Sequence, residues 1–127
     1  MPKDLIPDFI IRFRNRNSNL LTLYNSKKLK RILTLLKKEN LLNFTIVKED
    51  FKYLILNIHN SKINTIKQMS KQSRHIYKSH TDLLTDPKLK NGFYIITNSE
   101  YGWITSKQAI AKTVGGKIVM HLTLLLD

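Results

Sequence analysis

Two short stretches in the last third of the chain carry the residue types best suited to gripping a structured polyanion. The first, Thr97-Asn98-Ser99-Glu100-Tyr101-Gly102-Trp103-Ile104-Thr105, reads as a polar loop whose hydroxyl and amide groups can reach sugar and base edges. The second, Val114-Gly115-Gly116-Lys117-Ile118-Val119, places a glycine pair where a backbone can approach a phosphate closely. RNA duplexes hide their base edges in a deep groove, so a folded protein reads shape, sugar hydroxyls and distorted internal loops in the shallow one. Thr97, Asn98, Ser99, Gly115 and Gly116 suit that short-range task, and Lys27, Lys71, Arg74, Lys78, Lys107, Lys112 and Lys117 supply electrostatic reach. Tyr77 is either an RNA-stacking or hydrogen-bonding residue or a half-buried strand tyrosine. Trp103 reads as packing or a protein contact.

Other chemistries find no support. Gly116-Lys117 is not a nucleotide-binding P-loop, because Ala111 stands six residues before the lysine and Ile118 follows it. His59, His75, His80 and His121 show no metal-ligand spacing, and the absence of cysteine removes thiolate ligands, thiol nucleophiles and disulfides. The carboxylates are scattered; the pair four apart, Asp82 and Asp86, reads as a solvated helical turn. These observations indicate no enzyme, no cofactor, no metal and no small-molecule substrate.

Composition points the same way. The 127 residues carry +13 at neutral pH with a pI near 10.1, spread as +7 over residues 1–60 and +6 over 61–127. With 42% hydrophobic residues, that charge must decorate folded surfaces and not a disordered arm. Nucleic acid is the first candidate partner and an anionic membrane surface the second. Neither membrane role is expected: the closing Leu124-Leu125-Leu126 is far shorter than the roughly 18–20 apolar residues of a span, and the apolar stripe of a helix from Ser26 to Glu39 is needed for the fold's core instead of a membrane surface. Met1-Pro2-Lys3-Asp4-Leu5-Ile6-Pro7-Asp8 has two acids and two prolines, unlike an Arg-rich presequence. Seventeen lysines against five arginines, abundant Asn, Ile and Leu, and only two alanines suggest an A+T-rich genome.

The elements that must position these residues form an α+β pattern. Asp8 is expected to cap a first helix through about Arg16, with Phe9, Ile10 and Phe13 on one side, and Leu20 to Tyr24 to form a strand. Ser26 caps the clearest helix, whose Leu29, Ile32, Leu33 and Leu36 make one stripe, and Asn40 sits where a left-handed cap belongs. Residues 41–48 and 52–59 read as a hairpin. A boundary near 60–62 precedes strand-like stretches at Ile66 to Met69 and Ile76 to Lys78, separated by the bend Ser70-Lys71-Gln72-Ser73. A helical turn or two is expected to begin at Thr81 or Asp82 and to end by Asn91-Gly92, with Pro87 restricting where it can run, and a strand is expected from Phe93 to Thr97. Thr105 should cap a helix from Ser106 to about Lys112, and Ile118 to Leu125 should form the last strand.

The order and spacing of these residues resemble the S-eight family of small-ribosomal-subunit proteins from about Pro7 to Leu122. Without a gap, the family pattern Thr-Asp-x-x-Ala-Arg, four variable residues and Gly-Gly-Glu falls on Thr105, Ser106, Ala109, Ile110, Gly115, Gly116 and Lys117. Ser106, Ile110 and Lys117 depart from it, the last inverting a charge. Thr97-Asn98-Ser99 looks like the family's Ser-Thr-Ser with one extra residue before Gly102, and Trp103 stands where an aliphatic side chain is usual. Ser70-Lys71 with Ile76 and Tyr77 is similar to the segment Ser-Arg/Lys-Pro-Gly-x-Arg-x-Tyr, with Gln72 and Ser73 replacing Pro and Gly. Asp8, Arg12, Arg14 and Asn15 resemble the first helix, and Ser26, Lys27, Ile32, Leu36, Lys37 and Glu39 the second.

The resemblance implies two small α+β subdomains, 1–61 with two helices on a small sheet and 62–127 mainly antiparallel β with short helices. It implies binding to the central domain of small-subunit rRNA, a place beside other small-subunit ribosomal proteins, and a structural role in subunit assembly and translation. It adds Arg12, Arg14, Asn15, Ser26 and Thr105 to the expected rRNA-binding residues. A match starting just after Met1 leaves no room for a cleaved leader, which suggests an organelle-encoded mitochondrial ribosomal protein, with the plastid ribosome as the other location. A non-ribosomal RNA-binding module is the alternative function.

Overall fold

A computed structural model describes residues 4–125; Met1, Pro2, Lys3 and Leu126 of the stretches read above lie outside them. The chain divides after Ile63 into two compact units. In the first, helix α1 (Leu5–Asn15) begins earlier than expected because Asp4, not Asp8, is its cap, accepting from the Ile6 N–H at 3.0 Å. Asp8 lies one turn inside and pairs with Arg12 at 3.0 Å. Pro7 is tolerated at the third position, where its missing N–H would have had no intrahelical acceptor. Helix α2 (Lys27–Lys38) is capped by Ser26, which accepts from the Leu29 N–H at 3.0 Å. Leu29, Ile32, Leu33 and Leu36 are buried as the spacing predicts, and Leu35 widens the stripe. Asn40 takes φ 60°, which lets Leu41 return an N–H to the Leu36 carbonyl at 2.9 Å and satisfy the last turn.

These helices accompany a three-stranded antiparallel sheet of β1 (Leu20–Tyr24), β2 (Leu42–Glu49) and β3 (Tyr53–Ser61), in the order β1-β3-β2. The central strand alternates, burying Leu54, Leu56 and Ile58. Asp50 closes the β2–β3 hairpin by accepting from the Lys52 and Tyr53 N–H groups at 2.9 and 2.7 Å. Fully burying each of these side chains is worth about 1.5–3 kcal/mol, so this face is sufficient reason for the register to hold.

The second unit is built on an antiparallel sheet of β4 (Ile63–Gln68), β5 (Tyr77–Lys78), β6 (Gly92–Asn98), β7 (Gly102–Thr105) and β8 (Gly116–Leu124), in the order β4-β8-β6-β7 with β5 also on β8. The bend at 70–73 is a tight turn in which Lys71 and Arg74 exchange backbone bonds at 2.8 and 3.0 Å. Helix α3 (His80–Leu84) starts before Thr81, capped by Ser79 in a reciprocal box with Asp82. As the proline predicts, it stays short, because Pro87 cannot donate to the Leu83 carbonyl; Pro87–Leu89 forms a separate 3-10 turn, and both end before Asn91. Helix α4 (Ser106–Lys112) is capped by Thr105 as expected, with Gln108 closing the box. The expected nine-residue loop is mostly strand: Ile96 pairs with Ile104 and Thr97 with Trp103, leaving only Ser99 to Tyr101 as a turn. Strand β8 starts at Gly116, two residues before Ile118, since Gly116 and Lys117 pair with β5. Leu83, Tyr94, Ile96, Ile104, Ala109 and Ile118 form the core on the side of α3 and α4.

Candidate nucleic-acid interface

Strand register gathers many of the residues singled out above at one end of the second sheet. Trp103 pairs with Thr97, Thr97 with Lys117, and Lys117 with Tyr77. Directly paired residues on antiparallel strands project to one face, so indole, hydroxyl, ammonium and phenol form a transverse row across β7, β6, β8 and β5. Their sequence neighbours Ile96, Ile104 and Ile118 point the other way into the core. Tyr77 is 67% exposed, which removes the half-buried alternative. Trp103, Thr97 and Lys117 are half-buried.

The flanking polar groups divide into those the fold consumes and those it leaves open. The Asn98 side chain donates to the Gly115 carbonyl at 2.6 Å and accepts from the Glu100 and Tyr101 N–H groups at 2.8 and 3.0 Å. It ties the β6–β7 turn to the glycine pair. Ser99 is exposed at the tip of that turn. Thr105 is buried, and its hydroxyl accepts from the Gln108 N–H at 3.2 Å. A Cβ on Gly115 would strike the Lys78 carbonyl and lie 2.8 Å from the Ser79 Cα; one on Gly116 would strike the Thr97 carbonyl and lie 2.7 Å from the Ile96 side chain. The glycines' bare sides are thus filled by the protein's own backbone, and their smallness serves close strand packing.

Lys78 is half-buried and pairs with Asp86 at 3.0 Å. Asp86 is the reverse of a solvated turn residue: its side chain is 6% exposed and also accepts from the Tyr94 hydroxyl at 2.6 Å. Burial alone would raise its carboxyl, but hydrogen bonds from Tyr94, the Lys88 N–H and Lys78, with the Lys78 charge, outweigh that and hold it below the ordinary value. The same burial, then the bond to Asp86, pushes the Tyr94 phenol up. Lys71 and Arg74 sit exposed on their turn. Ser70, buried at its base, donates to the Ile118 carbonyl and accepts from the Ile76 N–H at 2.9 Å, anchoring the turn to β8. Lys112 lies over the Tyr101 ring at 4.6 Å, and Lys107 is exposed on α4. Ser70, Ser106 and Asp86 are positioning residues that side-chain chemistry did not distinguish beforehand; Ser106 accepts from the Tyr94 N–H at 3.0 Å.

In the first unit, Arg12 is engaged by the fold, donating to Asp8 and to the Thr22 carbonyl at 3.0 Å with its guanidinium 4.9 Å from the Tyr24 ring. Ser26 is the α2 cap. Arg14, Asn15 and Lys27 are exposed at the end of α1 and the start of α2. Among the described residues no group of three His, Asp or Glu could hold a metal ion.

These features define the chain as a basic protein of two α+β units. Residues 4–122 match the family described as Ribosomal protein S8. The chain is 29% identical over 133 residues to the small ribosomal subunit protein uS8 of Helicobacter pylori strain Shi470, covering 96% of this chain and 99% of that one. It is 32% identical over 130 residues to uS8 of Streptococcus agalactiae serotype III strain NEM316, covering 94% and 96%. The chain belongs to the ribosomal protein S8 family, and is therefore a structural component of the small ribosomal subunit and not an enzyme.

Proposed function

We propose that the second unit binds the central domain of small-subunit rRNA and so supports assembly of the subunit and translation. The observation that carries this reading is the convergence of Tyr77, Thr97 and Lys117 in one row, beside the glycine pair and the Asn98-fixed turn. Tyr77, Thr97, Ser99, Lys71, Arg74, Lys107, Lys112 and Lys117 meet RNA directly in this account. Asn98, Thr105, Lys78, Gly115 and Gly116 hold the backbone that does so. In the first unit Arg14, Asn15 and Lys27 add phosphate contacts, and Arg12 and Ser26 set the helices that carry them.

The subunit we propose is mitochondrial, with the gene in the organelle; the lysine-rich, alanine-poor composition supports that location, and a plastid ribosome is the other candidate. Sedimentation of cell extracts in high salt tests both parts. The chain should remain on small subunits from purified mitochondria. Release to the top of the gradient overturns the ribosomal rRNA reading, and recovery solely on another compartment's ribosomes overturns the location.

A further inference from the structure

The transverse row has a feature that the hydroxyl-and-cation account leaves unused. Trp103 is the chain's sole tryptophan, and its pairing with Thr97 turns it away from the Ile96–Ile104–Ile118 core. Several other aromatic residues of the fold are engaged: Tyr24 stacks on Tyr53 at 5.5 Å, Tyr94 binds Asp86, and Tyr101 lies under Lys112. Trp103 is half-buried and, among the described residues, has no ring partner and no acceptor for the hydrogen bond its indole N–H can donate. Neighbouring strands are about 4.8 Å apart, so roughly 14 Å separates the indole from the Tyr77 phenol, with Thr97 and Lys117 between. These are the group types that an unstacked nucleotide needs: a flat face for the base, a hydroxyl for the sugar, and a cation for the phosphate.

We propose that Trp103 is an RNA-contacting residue on which an unpaired base of a distorted internal loop stacks, while Lys117 meets a phosphate of the same strand. The proposal rests on the rRNA-binding reading above and adds a specific nucleotide contact to it. A merely packed tryptophan would leave affinity unchanged when replaced by another apolar side chain of the sheet. A stacking one would not, because base–aromatic stacking accounts for roughly fivefold to a hundredfold in affinity per base. The two contacts also differ in salt response, since stacking displaces no counterion whereas each phosphate contact does.

The test titrates the full chain with a transcript of the central-domain rRNA from its own small subunit, reading tryptophan emission and filter binding in parallel. Emission should change and saturate with filter binding. Trp103→Leu should lose roughly fivefold to a hundredfold in affinity with an unaltered salt slope, Trp103→Phe should keep most of it, and Lys117→Gln should flatten the slope by about one. Full filter binding with constant emission, or full affinity in Trp103→Leu, overturns the Trp103 contact and leaves the rRNA reading standing. No saturable binding by the unaltered chain overturns both. If Trp103→Leu fails to fold, the emission of the unaltered chain still decides.

Discussion

Replacing Asn98 separates a group that positions the RNA-facing turn from one that touches RNA. Its side chain makes three hydrogen bonds, at 2.6 Å to the Gly115 carbonyl and at 2.8 and 3.0 Å from the Glu100 and Tyr101 N–H groups. At about 0.5–1.5 kcal/mol net for each bond, Asn98→Ala removes at most about 4.5 kcal/mol. Glu100 and Tyr101 are exposed, so their freed N–H groups recover water, and the expected loss is about 1–3 kcal/mol. Asn98→Asp keeps the acceptor for both turn N–H groups and loses the donor to Gly115, so the turn should survive while its tie to β8 is lost. Ser99→Ala, at the exposed tip, should stay within about 0.5 kcal/mol of the unaltered chain. Urea unfolding followed by circular dichroism gives the free energies, and amide exchange at Glu100 and Tyr101 reports the turn directly. Equal stability of Asn98→Ala and Ser99→Ala, with unchanged exchange, would refute the positioning role.

Gly115→Ala and Gly116→Ala should each destabilise the second unit by about 1–3 kcal/mol or more, because the added Cβ meets Lys78 or Thr97 backbone and not a flexible side chain; chemical denaturation checks this. Asp86 is held below its unfolded value of about 3.9, so its contribution is complete above about pH 4 and is lost as pH falls through the depressed folded value. Asp86→Asn should therefore be less stable at pH 7 and show a shallower loss of stability as pH falls below about 4 in acid titrations. Thr113 holds φ 61° as the α4 cap despite its β-branched side chain. Thr113→Gly should gain about 0.5–1 kcal/mol by removing that strain, less the added unfolded-chain entropy, read as a higher melting temperature.

Local signals in the sequence were sufficient wherever one residue decides the outcome. Ser26 and Thr105 cap their helices, Asn40 takes the left-handed turn, and the α2 stripe is buried, since each depends on neighbours within four positions. The start of α1 is ambiguous in the sequence because Asp4 and Asp8 both suit a cap and Pro7 lies between them; which one serves depends on where the helix packs. Strand β7 reads as loop in the sequence, since four residues with polar neighbours carry too little alternation to stand out. Asp86 looks solvated in the sequence because both partners, Lys78 and Tyr94, are eight residues away and reach it only through the fold. The candidate residues were legible as types, whereas their row was not, because it depends on the register of four strands drawn from residues 77 to 117.

Competition binding at matched ionic strength decides whether the chain recognises RNA shape, with the purified chain offered its own central-domain rRNA junction and an unrelated RNA hairpin of equal length. The account predicts that the junction is preferred by at least tenfold and that the preference survives as salt rises, because the row and turn recognise shape while the lysines add attraction common to both RNAs. Equal affinity for the two RNAs at every salt concentration would contradict it.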